Sequence, residues 1–185
     1  MKARLASGPR LIRVNRPQPG KPKVERVAVG DLLEGTMPMF THILVPTDGS
    51  ALSDKAVRAA VQMARENQAK ITFLNVQPEY TFPVMVDLPV SFDISQSEYQ
   101  ASALRRAKEI LGRAREEAGG AQLQCDAQPV LDNQPWAAIC KAAESLGCDL
   151  IMMASHGRRG IDAVLLGSET QKVLTHSTVP VLVYR

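Results

Sequence analysis

The chain has 185 residues, of which 45% are hydrophobic and 22% charged, and its formal net charge is +3. This length is enough for one domain with a sizeable core, and no apolar run reaches the ~20 residues that a membrane-spanning helix needs. Three cysteines, Cys125, Cys140 and Cys148, form neither a CxxC pair nor a zinc-ligand pattern, which disfavours a disulfide framework. We therefore expect one cytoplasmic domain with no signal peptide and no membrane contact.

Residues 1–36 differ in composition from the rest of the chain. They contain eight Lys or Arg, three Asp or Glu and four prolines, with little apolar periodicity. This composition is typical of a mobile arm, so we predict a basic, Pro-rich, disordered extension over 1–36 and a folded domain over 37–185. A basic arm can bind nucleic acid or anionic lipid, but a solvated tail is commoner, and we do not expect nucleic-acid binding. In a second interpretation the chain starts at Met37 or Met39, directly before the first predicted strand.

Short apolar runs and longer helical stretches alternate from residue 40 onward. The β-branched run at 42–47 predicts a strand, and the Asp-Gly-Ser that follows it indicates a turn and a helix cap. A helix over 50–67 and a strand over 70–78 come next. The stretch 79–95 has two prolines and no sustained period, which predicts a long loop.

The second half of the chain continues the alternation. The predicted elements are a helix over 97–120, a strand over 121–130, a helix over 134–147, a strand over 149–154, a helix over 168–177 and a strand over 179–185. This order predicts an α/β fold, an open five-stranded parallel sheet with helices on both faces. Such sheets bind ligands beyond the carboxyl ends of the strands, where the strand order reverses. "PTDGS" and "ASHG" lie at such ends and would meet if the first and fourth of these strands are neighbours.

Two glycines ten positions apart, Gly157 and Gly167, flank a short apolar segment. Gly157 allows the chain to turn and a phosphate to approach its amide. Gly167 and Ser168 open the last helix, where unpaired amides and the helix dipole favour an anion, and Ser168 and Thr170 add hydroxyl donors. Glu169 in the same turn would repel phosphate unless it points outward or meets a divalent ion. Both glycines also fit plain turns between a strand and a helix, and that alternative stays open.

The segments "ILVPTDGS", "DLIMMASHGRRG" followed by "LLGSETQKVL", and "VPVLVYR" together resemble the universal stress protein family over residues 40–185. The resemblance implies a Rossmann-like fold of the adenine nucleotide alpha-hydrolase type. It also implies ATP binding through the pattern G-x2-G-x9-G-[S/T]. Gly157, the nine residues after it and Gly167-Ser168 match this pattern, whereas Ala154 stands where the family has its first glycine.

The same resemblance implies a set of nucleotide contacts. Asp48 is expected to contact the adenosine portion, with the adenine lying near Pro46, Thr47 and Val76. The complete predicted set is Pro46, Thr47, Asp48, Val76, Met153, Ala154, His156, Gly157, Gly167, Ser168, Glu169 and Thr170. Mg²⁺ or Mn²⁺ would enter with the nucleotide, bound through its phosphates. No protein metal site and no catalytic residue is predicted, and the sequence has neither GxxxxGK[ST] nor GxGxxG.

The resemblance further implies a stress-response protein whose nucleotide state governs its association with other, unidentified proteins. Its last strand would pair with that of a second copy to form a homodimer, because an apolar edge strand seeks a partner; in the alternative, Arg185 and the terminal carboxylate protect that edge. Two other functions stay open. Ala154 favours an interaction protein that binds no nucleotide, and a slow ATPase would need a positioned water and a base.

Overall fold

In a computed structural model of the chain, the described residues are 39–80, 95–119, 123–157 and 166–185, together with the backbone of two N-terminal strands. The strands are β1 (Leu11–Arg16), β2 (Lys23–Ala28), β3 (His42–Pro46), β4 (Lys70–Gln77), β5 (Cys125–Leu131), β6 (Leu150–Ala154) and β7 (Val181–Tyr184). The helices are α1 (Ala51–Asn67), α2 (Gln96–Gly119), α3 (Pro135–Ser145) and α4 (Ser168–His176). Residues 81–94 of the predicted loop, 120–122 at the junction of a predicted helix and strand, and 158–165 of the glycine segment lie outside the described residues.

Strands β3 to β7 form the predicted parallel sheet, in the order β7-β6-β3-β4-β5. β4 and then β5 lie on one side of β3, whereas β6 and then β7 lie on the other side. The strand order therefore reverses between β3 and β6, which are the neighbours that a meeting of "PTDGS" and "ASHG" requires. Pro129 is accommodated in β5 because β5 is an edge strand, where a missing backbone donor can face away from the sheet.

Helices cover both faces of this sheet, as predicted, because successive strand residues point to opposite faces. On one face α1 and α2 pack over a core cluster around Phe73, Ile43 and Met152. On the other face α3 and α4 pack over Leu44, Ile151 and neighbouring valines of β7. The five-stranded α/β fold is thus confirmed, and its two layers of helices leave the strand ends as the accessible edges.

The amino edge of the sheet is fastened by Asp149, just before β6. Its carboxylate accepts hydrogen bonds from the amide and hydroxyl of Thr41, at 2.7 and 2.6 Å, and from the amide of His42 at 3.0 Å. The buried His42 ring lies with Nε2 2.8 Å from the hydroxyl of Thr72. Burial, followed by the charge of Lys70, lowers the pKa of His42 below 6.5. The hydrogen bonds at this edge therefore hold β3, β4 and β6 together.

The N-terminal stretch contains regular structure where its composition predicted none. β1 and β2 pair antiparallel, and β1 also pairs antiparallel with β7, with Arg13 opposite Val183 and Asn15 opposite Val181. The basic and Pro-rich composition gives little local signal for these strands, and the pairing of β1 with β7 is long-range, a context on which strand formation depends more than on local preference. Consequently β7 is not the edge of the sheet; β2 is. The division of the chain into 1–36 and 37–185 stays a prediction.

Candidate functional site

The turn after β3 is built by the short polar residues that follow it. The amide of Thr47 donates to the carbonyl of Leu74 at 2.9 Å, which continues the sheet by one residue, and its hydroxyl lies 2.7 Å from that of Ser53. Gly49 then takes a left-handed φ of 72°, a conformation that glycine adopts at little cost. The amide of Ser50 donates to Oδ1 of Asp48 at 3.0 Å. This hydrogen bond fixes the Asp48 carboxylate at the carboxyl edge of the sheet.

A buried amide supports this turn from the neighbouring strand. Asn75 is 1% exposed, and its Nδ2 donates to the carbonyl of Thr47 at 2.7 Å while its Oδ1 accepts from Gln77 at 2.7 Å. Sequence reasoning missed Asn75, although an amide inside the apolar run of β4 is a detectable signal, because buried polar groups need partners. Val76 follows it, half-buried among core residues on the α3 face. Pro46 is in register with Leu74, two residues before Val76.

The second turn follows β6, directly beside the first. Met153 and Ala154 are buried strand residues, so the position where the family pattern has its first glycine belongs to the sheet. The amide of Ser155 donates to the carbonyl of Tyr184 at 2.7 Å, and its hydroxyl lies 3.2 Å from Nδ1 of the half-buried His156. Gly157 then emerges as an exposed residue. The residue types of this turn thus carry the chain from a buried strand to the surface within three positions.

The two turns meet at Asp48 and Gly157. A Cβ atom on Gly157 would lie 2.5 Å from Oδ2 of Asp48, a separation that real side chains do not adopt. A side chain at position 157 would therefore force the Asp48 carboxylate to shift. The sequence predicts that this glycine makes room for a phosphate, which stays a prediction, and the structure adds its contact with Asp48.

The start of α4 completes the edge. The amide of Gly167 donates to the carbonyl of Ser155 at 2.8 Å, and a Cβ at Gly167 would lie only 3.2 Å from the Cα of His156. Gly167 thus stands where two backbones pack closely, and its φ of −61° suits any residue. The first amides of α4 have no partner within the helix, and the exposed Ser168 is its first residue.

Two predicted contacts in this turn are engaged within the protein. The hydroxyl of Thr170 donates to the carbonyl of Ala154 at 3.1 Å and is buried, so its proton is already used inside the fold. Oε2 of Glu169 accepts from the backbone amide of Trp136 at 2.9 Å, and Nζ of Lys172 lies 3.2 Å from its Oε1. The Glu169 carboxylate therefore points towards α3 and is paired with Lys172. Sequence reasoning missed Trp136, because only the packing of α4 on α3 brings its amide to Glu169. It also missed Lys172, although the i,i+3 spacing of an acid and a lysine on one helix is a detectable signal.

Metal-ligating side chains do not cluster in the part of the chain that the structure describes. Those residues hold no group of three or more His, Cys, Asp or Glu side chains placed to bind a metal ion. Within the same ranges, no helix combines the length and the apolar character needed to cross a bilayer.

These features define an open parallel α/β protein with a candidate ligand edge at the reversal between β3 and β6. The chain matches the model of the universal stress protein family over residues 39–185 and belongs to that family. Universal stress protein YxiE of Bacillus subtilis strain 168 is 35% identical over 154 residues, which cover 80% of this chain and 100% of the relative. The solved structure of protein MJ0577 has a TM-score of 0.68 at 27% identity and covers 79% of this chain and 96% of its own.

Two more distant structures share the fold and carry ligands. A universal stress protein in complex with cAMP has a TM-score of 0.58 at 24% identity, covering 79% of this chain and 97% of its own. The universal stress protein of Archaeoglobus fulgidus in complex with dAMP has a TM-score of 0.55 at 16% identity, covering 80% and 100%. Adenine nucleotides are thus ligands of proteins with this fold.

Proposed function

We propose that this chain binds an adenine nucleotide, ATP in the first instance, at the edge formed by the turns after β3 and β6 and by the start of α4. The observation that carries the proposal is the meeting of Asp48 and Gly157 beside the first amides of α4. A carboxylate is a good acceptor for ribose or adenine donors, and a helix N-terminus favours phosphate. The adenine nucleotides held by neighbours of the same fold support this class of ligand.

The residues present fit such a ligand in part. Asp48 and the backbone of Gly157 and Ser168 are the groups we assign to it, whereas the amide of Gly167, the carboxylate of Glu169 and the hydroxyl of Thr170 serve the fold. Mg²⁺ or Mn²⁺ would be held by the phosphates, as is usual for ions that enter with a nucleotide. We assign the chain a regulatory role in the cytoplasmic stress response, with its nucleotide state governing association with protein partners.

Dimerisation is the second part of the proposal. The resemblance implies that the last strands of two copies pair, but β1 already runs along the open side of β7. A β7–β7 pair therefore requires β1 to leave that edge, so we expect the full chain to dimerise less readily than family members whose last strand is uncovered.

The test is thermal unfolding of the full chain with and without ATP and Mg²⁺. At about 100 times its dissociation constant, a ligand stabilises the folded state by about 2.7 kcal/mol, which for a chain of this size raises Tm by about 5–10 °C. Gly167→Val should abolish the shift, because even a Cβ there meets His156. Gly112→Val is the matched control, since a Cβ at Gly112 on α2 meets nothing within 4 Å.

The outcomes separate the three functions. A shift with ATP that Gly167→Val removes supports the proposal. The absence of a shift with ATP, cAMP or dAMP refutes nucleotide binding and favours the interaction protein. Steady release of phosphate from bound ATP would instead favour the slow ATPase.

A further inference from the structure

Helix α3 begins without a cap of its own. Its N-cap residue, Gln134, makes no side-chain hydrogen bond to the helix, and Pro135 stands at the first helical position. Proline has no backbone N–H, so Trp136 supplies the first donor of α3. That donor is accepted by Glu169 of α4 at 2.9 Å. One helix therefore caps another, and the negative carboxylate also complements the positive end of the α3 dipole.

Trp136 holds the far end of α4 as well. Its indole lies against the ring of His176, with the ring centroids 4.5 Å apart and the planes inclined by 40°. Glu169 lies in the first turn of α4 and His176 in its last. Thr170, Val173 and Leu174 bury one side of this nine-residue helix, and Trp136 contacts it at both ends.

The same first turn of α4 is tied to β6 from the other side. The amide of Gly167 donates to Ser155, and the hydroxyl of Thr170 donates to Ala154. The amide of Ser168, which we assign to phosphate, therefore lies between two anchors, one on β6 and one on α3. Removing either anchor leaves the turn held on one side only.

We propose that Glu169 is a positioning residue for the phosphate end of the nucleotide site, acting through the backbone amide of Trp136 rather than by touching the ligand. This inference rests on the proposed function, because it assigns the first turn of α4 to phosphate. Replacing Glu169 is therefore expected to lower the affinity for ligands whose phosphates reach α4 and to leave unchanged the affinity for ligands that end at the ribose.

The experiment measures ATP and adenosine affinities of the full chain by calorimetric titration, for the parent, Glu169→Ala, Glu169→Gln and the control Glu117→Ala. Glu117 is an exposed helical acid paired only with Arg58 among the contacts described for it. Glu169→Ala should weaken ATP about tenfold, the loss of ~1.4 kcal/mol, and leave adenosine within twofold. Glu169→Gln should stay near the parent, because the amide oxygen of Gln still accepts from Trp136.

A merely structural role would weaken ATP and adenosine together, and this result overturns the inference. Unchanged ATP binding in Glu169→Ala also overturns it. Tighter ATP binding in both variants would show that the charge of Glu169 repels phosphate, which contradicts a positioning role. If the parent chain binds ATP and adenosine with equal affinity, the assignment of α4 to phosphate is wrong, and so is this inference. If the parent chain binds neither ligand, the proposed function itself is wrong. Trp136 is the one tryptophan of the sequence, so its fluorescence reports in each variant whether the α3 terminus has moved.

Discussion

Gly157→Ala tests the contact that joins the two turns. The new Cβ would lie 2.5 Å from Oδ2 of Asp48, at least 0.9 Å short of the 3.4 Å at which ordinary contact begins. The Asp48 carboxylate must therefore move, and it then loses its hydrogen bond from Ser50, at a cost of about 0.5–1.5 kcal/mol. Gly157 is not among the residues with a left-handed φ, so alanine also restricts the unfolded chain and stabilises by about 0.4–1 kcal/mol.

The lost hydrogen bond and the restriction of the unfolded chain have opposite effects on stability, so the single variant cannot separate them. A double-mutant cycle with Asp48 can. Gly157→Ala alone should change the free energy of unfolding by less than about 1 kcal/mol. In an Asp48→Ala background the space is vacant, so the same change should stabilise by the full unfolded-state effect of about 0.4–1 kcal/mol. The expected coupling between the two positions is therefore about 1 kcal/mol, within the range for residues in contact.

The assay is urea unfolding of the four chains without nucleotide, with the slope m checked for constancy. A second cycle combining Asp48→Ala with Gly112→Ala is the control, since Gly112 lies on α2 with open space around it, and its coupling should be zero. Additive effects at positions 48 and 157, within about 0.3 kcal/mol, would refute the contact and, with it, the carboxylate as the reason for a glycine at position 157.

Three further outcomes follow from the described contacts. Because the pKa of His42 is lowered, the unfolded chain binds protons more readily, so the free energy of unfolding should fall as the pH drops below about 6.5. The free energy of unfolding of His42→Gln, measured in urea from pH 6.5 to 5, should depend less on pH. An equal pH dependence in both chains would count against burial of this ring. Burial raises the pKa of Cys148 to about 11, so iodoacetamide at about pH 8 should modify it only after unfolding, which peptide mass spectrometry detects; rapid labelling of the folded chain would contradict this. Arg13→Pro combined with Val14→Pro removes two backbone donors from β1. The β7 amides should then exchange hydrogen faster, and the fraction of dimer measured by light scattering should rise. Unchanged exchange would show that β1 does not protect this edge.

The parallel sheet was predictable because each of its strands is an apolar run separated from the next by a helical pattern. Even so, the predicted bounds shifted where local signals compete: the strand expected over 121–130 is Cys125–Leu131, and the helix expected over 134–147 is Pro135–Ser145. β1 and β2 were not predictable from composition. Their six-residue alternation is weak against the prolines and charges around it, and β1 finds its partner β7 more than 160 residues further along the chain.

Part of the site was likewise predictable from the sequence, and part was not. Short polar turns after two apolar strands were enough to place Asp48 and Gly157 at one edge, because parallel strands present their carboxyl ends together. The directions of Glu169 and Thr170 were not accessible, since each depends on a partner from another element, the Trp136 amide and the Ala154 carbonyl. Sequence pattern thus finds the edge of the sheet, whereas the partners within it are decided by helix packing.

The three glycine positions of the family pattern have different roles in this chain, and this bears on Ala154. Gly157 makes room for the Asp48 carboxylate, and Gly167 lets the start of α4 approach the backbone of His156. Ala154 lies inside β6, in register with Tyr184, where its methyl group is buried and its carbonyl accepts from Thr170. A methyl at this position leaves both close approaches intact. The departure from the pattern therefore leaves the contacts between the turns and the start of α4 unchanged, and the interaction-only alternative stays open.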